Sequence, residues 1–242
     1  MRCRALVESD GTAYFGFQRQ PHEPTIQGQL ETALGAVAGE PVMVVGAGRT
    51  DSGVHATGQV IAFNVRWRHG NEALQRALNA NLPEDIAIRD LREAAEDFHP
   101  RFSARRRTYV YRIHNVEIRS PLHRRTAWHV PRPLAMIEMD LAAKAIVGLH
   151  DLATFGQAPQ GHNTKREVFK AIWRKQGELL LFEIEANAFL FRMVRSLVGC
   201  MKTVGEGRWT VTDFSAALKE KDRSQAAQTA PPHGLCLTSV TY

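Results

Sequence analysis

Apolar and polar residues alternate from Arg2 to Val7, with Cys3, Ala5 and Val7 on one side and Arg2, Arg4 and Leu6 on the other, which predicts a strand. The turn residues Ser9-Asp10-Gly11-Thr12 follow. From Ile26 the apolar spacing becomes helical, through Leu30, Ala33, Leu34 and Val37; Thr25 stands where a cap is wanted, Gly39 where a helix stops, and Pro24 and Pro41 bracket the element. Val42 to Val45 reads as a short buried strand. After a glycine-rich loop, Gln59 to Arg66 alternates again with Ile61, Phe63 and Val65 on one face. Asn71 is the expected cap of a second helix carrying Leu74, Ala77 and Leu78; Pro83 ends it, and Ile86 and Ile88 open a fourth strand. The predicted order is β-α-β-β-α-β.

The second half repeats that order with longer connections. Tyr109 to Ile113 is a strand, and Met139, Ala142, Ile146 and Leu149 form one helical stripe. Val168 to Trp173 and Leu179 to Ile184 flank a turn at Gln176-Gly177, and Leu190, Met193, Val194, Leu197, Val198 and Met201 form a strongly apolar helix. A further helix near Asp213 to Lys221, a Pro231-Pro232 loop and a strand from Leu235 to Val240 complete the chain. Two β-α-β-β-α-β units predict an α+β protein of two ferredoxin-like halves, residues 1–104 and 105–242. They are expected to join in one extended antiparallel sheet with helices on one face and the other free to form a cleft for RNA.

Composition narrows the class. The 242 residues are 44% hydrophobic and 23% charged, which excludes collagen, coiled coil and wholesale disorder. No apolar run approaches the roughly 20 residues of a spanning helix, since Leu179-Leu180-Leu181-Phe182 meets Glu183 and Glu185 at once. Glu8 interrupts the amino terminus before a leader's apolar core could form, so a cytoplasmic protein is expected. Cys3, Cys200 and Cys236 lack any CxxC pairing and read as reduced thiols; the ten histidines lack ligand spacing, and no metal is expected. Lys and Arg total 31 against 25 Asp and Glu, a net charge of +6. That excess favours a polyanionic partner, nucleic acid first, with a merely soluble basic protein as the plainer alternative.

The segment Gly46-Ala47-Gly48-Arg49-Thr50-Asp51-Ser52-Gly53-Val54-His55 is the one most suggestive of chemistry. It is not a P-loop, having no Lys at the required place, and not a dinucleotide fingerprint, because Asp51 occupies the third glycine position and a strand follows. Nor is it a nucleophile elbow, since Thr50 replaces the first glycine relative to Ser52. What remains is a carboxylate with an arginine two residues before it, in a loop that admits close backbone approach. Asp51 there suits a nucleophile or base, but spacing alone does not displace the simpler reading of an Asp that stabilises its own turn.

Gly48-Arg49-Thr50-Asp51-Ser52-Gly53-Val54-His55-Ala56 resembles the catalytic motif of the TruA-type tRNA pseudouridine synthases. Other segments resemble the family in order along the chain: Asp10-Gly11-Thr12, Gly16-Phe17-Gln18-Arg19-Gln20, Thr25-Ile26-Gln27-Gly28, Phe98-His99-Pro100-Arg101-Phe102-Ser103-Ala104, Ala186-Asn187-Ala188-Phe189-Leu190, Met193-Val194-Arg195 and Gly234-Leu235-Cys236-Leu237. The resemblance implies Asp51 as catalytic carboxylate, Arg49 as the residue that helps displace the target nucleotide, Tyr109 as the aromatic stacking on the base and Arg195 as the cation paired with Asp51. It also implies two ferredoxin-like halves with the site between them, a homodimer in which both subunits contact each tRNA, the anticodon stem-loop as target, and no metal or cofactor. The sequence departs from the family at Ser9, Ser52 and Cys236, none of which removes a group the reaction needs.

Those residue types suit uridine isomerisation, which breaks the glycosidic C–N bond, turns the uracil and rejoins it through its fifth carbon. A carboxylate suffices, whether it adds to the ring, attacks the anomeric carbon or takes a proton from the ribose 2′ carbon. The base must leave its stack first, which calls for an arginine and an aromatic nearby. Without the resemblance, Tyr109 reads as one position of an alternating strand and Arg195 as a solvated residue on an apolar helix. Arg105-Arg106-Arg107, His123-Arg124-Arg125 and Lys165-Arg166 are candidate phosphate contacts, each also readable as a solvated face. Two rival functions are a non-catalytic tandem RNA-recognition module and a small-molecule enzyme using Asp51. The first lacks its aromatic-glycine signature, since Arg107-Thr108-Tyr109-Val110-Tyr111 has no glycine; the basic balance argues against the second.

Overall fold

The computed structural model describes residues 1–159 and 161–242. The chain is α+β and divides into two compact units, Met1–Arg105 with Cys236–Tyr242, and Arg106–Leu235.

The first unit contains β1 (Arg2–Ser9), α1 (Ile26–Ala38), β2 (Val44–Gly46), β3 (His55–Asn64), α2 (Asn71–Asn81) and β4 (Ile86–Glu93). β1 pairs antiparallel with both β3 and β4, and β2 pairs antiparallel with β3. The alternation along β1 has a direct outcome: Cys3, Ala5 and Val7 are buried, in one core with Leu30 and Leu34 of α1, Leu74 and Leu78 of α2, and Ile61 and Phe63 of β3. Thr25 caps α1 by accepting the Gly28 amide, and Gly39 ends it in the left-handed conformation at φ 72°, both as the spacing predicts. The start of α2 differs from the prediction. Its cap is Gly70, at φ 77° and ψ 165°, a conformation essentially reserved to glycine; Asn71 is already helical and its Oδ1 is buried without a partner.

β3 is long enough to divide its second edge between two strands. β2 takes Ile61 to Phe63, and β10 (Leu235–Thr241), the last strand of the chain, runs parallel to β3 with Cys236 opposite His55 and Leu237 opposite Ala56. The segment between the two pairings is where the β2–β3 loop folds back.

The second unit contains β5 (Arg106–His114), β6 (Trp128–His129), α3 (Met136–Lys144), β7 (Gly148–Asp151), β8 (Lys165–Gln176), β9 (Leu179–Ala186), α4 (Met193–Gly205) and α5 (Val211–Glu220). Its strands lie in the order β5-β9-β8-β7, antiparallel throughout, with β6 parallel to β5. The core includes Tyr111, Phe155, Phe182 and Phe214, with the Trp173 and Phe182 rings stacked at 5.1 Å. Here the predicted helical stripe is too long: α3 stops at Lys144, Ile146 is buried in the turn beyond, and Leu149 lies in β7, 69% exposed. Gly148, at φ 110°, redirects the chain into that strand. α5 begins with a full capping box, Thr210 accepting the Asp213 amide while the Asp213 carboxylate accepts from Thr210. Among the described residues no helix is long and apolar enough to cross a membrane.

Candidate active site

The loop from Ala47 to Val54 joins β2 to β3, and its backbone is held at nearly every step. Ala47 N–H donates to Val60 O at 2.8 Å, continuing the β2–β3 pairing by one bond. At Gly48 the ladder gives way to a side chain. Gln59, 1% exposed, accepts the Gly48 amide at 3.1 Å through Oε1 and donates to the Gly48 carbonyl at 2.8 Å through Nε2. One buried amide thus imitates a strand neighbour, satisfying both polar groups of a residue that has left the sheet.

Beyond Gly48 the segment Tyr14 to Phe17 takes over. Phe17 N–H donates to Thr50 O at 3.1 Å, and Tyr14 O accepts from the Gly53 amide at 3.2 Å and the Ser52 hydroxyl at 3.3 Å. Gly16 makes this approach possible: it sits at φ 91°, and a Cβ there would lie 2.7 Å from Thr50 O. Asp51 opens a β-turn closed by Val54 N–H donating to Asp51 O at 3.1 Å, with left-handed Gly53, φ 76°, at its third position. Asp51 is therefore half-buried on a backbone tied down before and after it, while Arg49 is exposed.

The supports are supported in turn. The Tyr14 hydroxyl donates to Oδ1 of Asp85 at 2.5 Å, and burial together with the Asp85 charge pushes the Tyr14 pKa well above the usual phenol range. His55, 7% exposed, accepts the Gly11 amide at Nδ1, 3.0 Å away. The same nitrogen lies 3.1 Å from Asp10 Oδ1. His55 serves as a loop hydrogen-bonder. Gln59 and Tyr14 carry no motif signal; the available hint is a lone glutamine immediately before the apolar run Val60-Ile61-Ala62-Phe63.

Tyr109 and Arg195 belong to the second unit. Tyr109 lies on β5 opposite Ile184 of β9, 8% exposed, with its ring edge-on to Phe189 at 4.9 Å. Arg195, in the first turn of α4, is half-buried, and its Nε donates to Ala230 O at 2.8 Å while Ala230 N–H donates to Arg195 O at 3.0 Å. This exchange fixes the arginine stem against the segment before β10. The neighbouring Tyr111 is fully buried, its hydroxyl donating to Pro231 O at 2.8 Å, and burial raises its pKa strongly against the opposing pull of Arg195. Structure thus brings Arg49 and Asp51 together on one loop, and Tyr109 and Arg195 into the other unit.

The candidate phosphate contacts are not equivalent. Strand alternation divides the arginine triplet: Arg105 is exposed, Arg106 pairs with Glu185 at 2.9 Å and covers the Phe169 ring, and Arg107 turns inward, 9% exposed, donating to Asn187 O. Arg166 is likewise turned in, donating to the carbonyls of Asn163 and Lys165, and burial lowers its pKa. Burial thus takes Arg107 and Arg166 out of the solvated face that was the alternative to the phosphate-contact reading of their clusters; Lys165, Arg124 and Arg125 are exposed. Among the described residues no group of three or more His, Cys, Asp or Glu is placed to hold a metal ion, and Cys3, Cys200 and Cys236 are buried thiols.

A family model described as tRNA pseudouridine synthase matches residues 5–103 and 142–242. Arg49, Asp51 and Arg195 fall inside the matched stretches and Tyr109 between them. The tRNA pseudouridine synthase A of Pseudothermotoga lettingae is 42% identical over 243 residues, covering 100% of this chain and 99% of the relative. That of Rhizobium meliloti is 44% identical over 247 residues with the same coverage, and that of Shewanella baltica 43% identical over 243 residues, covering 100% and 93%. A chain in the crystal structure of the archaeal box H/ACA sRNP Nop10-Cbf5 complex aligns with a TM-score of 0.41 at 12% identity; the alignment covers 98% of this chain and 48% of that one.

Proposed function

The chain belongs to the tRNA pseudouridine synthase family, and on that premise we propose that Asp51 is the carboxylate that carries out its reaction. The protein is an isomerase that converts uridine to pseudouridine in tRNA. The observation that carries the assignment of Asp51 is the way its loop is built. A turn-forming aspartate needs only its own turn, whereas here Gln59, Phe17 and Tyr14 bind the loop on both sides of Asp51, so that the backbone carrying its carboxylate is fixed before any RNA arrives.

Arg49, exposed on the same loop, holds the opened RNA backbone, and Tyr109 stacks on the displaced uracil. Arg195 is the cation that pairs with Asp51; its stem, pinned to Ala230, limits how its guanidinium can be presented. The carboxylate then adds to the ring, attacks the anomeric carbon or takes the 2′ proton; the C–N glycosidic bond breaks, the uracil fifth carbon bonds to the anomeric carbon and gives up its hydrogen as a proton, the freed ring nitrogen takes a proton, and the carboxylate is regenerated by leaving its adduct or by returning the 2′ proton. Targets lie in the anticodon stem-loop, the working form is a homodimer, the setting is the cytoplasm, and the chemistry calls for neither metal nor cofactor.

Release of tritium from tRNA labelled at the uracil fifth carbon tests this reading. Asp51→Asn retains size and turn hydrogen bonding, so it is expected to bind tRNA and release no tritium. Substantial release by a folded Asp51→Asn variant would remove Asp51 from the chemistry. Tritium release by the wild type also separates the synthase from a passive RNA-recognition module, which releases none.

A further inference from the structure

Between β4 and β5 lies the segment Phe98-His99-Pro100-Arg101-Phe102-Ser103, which the proposed chemistry does not use. It is a turn closed on itself. Ser103 N–H donates to His99 O at 2.9 Å, His99 N–H to the Ser103 hydroxyl at 3.2 Å, and the amides of Arg101 and Phe102 both to Nδ1 of His99 at 3.2 Å. Its base is tied to the first unit. The Tyr242 hydroxyl donates to Pro100 O at 3.0 Å, Arg2 donates to Phe98 O at 2.9 Å, and the Arg4 guanidinium lies over the Phe98 and Tyr242 rings at 5.7 and 5.9 Å.

At the tip of this turn Phe102 is 77% exposed. Single exposed apolar residues are common and by themselves mean little. This one differs in how it is backed. The His99 ring stacks against it at 4.3 Å with 30° between the planes, and the Arg101 guanidinium stands 5.7 Å from its centroid. Two backbone amides donate to the His99 ring nitrogen, a third to its carbonyl, and its own amide donates to the Ser103 hydroxyl, so the ring behind Phe102 is immobilised and little ordering entropy is left to lose when a partner arrives. A flat apolar surface, rigid, open to water and flanked by a cation, is what a nucleobase with an adjoining phosphate requires.

We propose that Phe102, backed by His99 and flanked by Arg101, is a stacking platform for an unpaired nucleobase of the tRNA, separate from the uracil assigned to Asp51. The platform rests on the reading of the chain as a tRNA-modifying enzyme. It adds affinity that salt does not screen, because stacking releases no counterions whereas phosphate contacts do.

Binding of an unmodified tRNA transcript to the full-length protein, measured across a salt series, tests the platform. Phe102→Ala is expected to weaken binding roughly 5- to 150-fold, the range for losing one base–aromatic stack. The log affinity line should shift down in parallel with its slope against log salt unchanged. Phe102→Trp should bind at least as well as wild type, and its added fluorescence should be quenched by the transcript. Phe102→Leu, apolar but without a π-face, should resemble Phe102→Ala. Unchanged affinity in Phe102→Ala, a changed slope, or full rescue by Phe102→Leu would each overturn the platform. Tritium release by the wild-type preparation separates the failures: an active wild type with an unaffected Phe102→Ala removes the platform alone, whereas a wild type that neither binds nor converts tRNA removes both readings.

Discussion

Replacing Gln59 is the sharpest test of how the candidate loop is held. Gln59→Leu preserves approximate volume and leaves the apolar surroundings intact, but removes the acceptor at 3.1 Å from the Gly48 amide and the donor at 2.8 Å from its carbonyl. Leaving a buried backbone group unpaired costs about 1–3 kcal/mol. Two groups are orphaned at a residue that is only half-buried, so water recovers part of the loss and about 2–3 kcal/mol is expected in total. The cost falls on the loop, because the core packing around it is unchanged. Amide hydrogen exchange at Gly48 should therefore accelerate roughly 30- to 150-fold. Turnover should drop roughly 10- to 100-fold as Asp51 loses its fixed place. Gln59→Glu separates the two bonds. The carboxylate still accepts the Gly48 amide but faces the carbonyl without a proton. Burial raises its folded pKa above the unfolded value, so the protonated form, which can donate again, is favoured as pH falls and the defect should shrink with it. Unchanged exchange at Gly48 in Gln59→Leu, or a Gln59→Glu defect indifferent to pH, would refute this account of the loop.

Other perturbations have equally definite outcomes. Gly16→Ala puts a Cβ 2.7 Å from Thr50 O at a φ of 91°, and should lower stability by about 1–3 kcal/mol and slow turnover; an unchanged melting temperature would contradict the close approach. The buried Tyr111 has a folded pKa raised above its unfolded value near 10, so its contribution is complete below that pH and lost as pH rises beyond it. Tyr111→Phe should accordingly flatten the alkaline fall in stability by about 1.4 kcal/mol per pH unit, and an equally steep fall in the variant would show that the phenol does not matter. If Asp51 and Arg195 act as a unit, Arg195→Met should cripple single-turnover isomerisation, and the double variant should be hardly slower than Asp51→Asn. Multiplied losses would mean that the two residues act independently.

Periodicity alone located nearly every element, because a helix or strand with one buried face must repeat its apolar residues every 3.6 or 2 positions. It also marked Thr25 and Gly39 as the ends of α1, since capping is a matter of a few consecutive residues. The Gly48 to His55 motif and Asp51 within it were equally legible, being contiguous in the chain. Local pattern failed where another local option was better, as at Gly70, which displaced Asn71 as cap, and beyond Lys144, where α3 stops and Gly148 turns Leu149 into a strand. What tertiary structure decided is the identity of partners distant in sequence. Nothing in Gln59 announces Gly48, nothing in Tyr14 announces Asp85, and the carboxy-terminal strand carries no label pointing to β3. A hydrogen bond between such groups forms only after the burial of both apolar faces has brought the segments together, so its partners are set by packing rather than by any pattern along the chain.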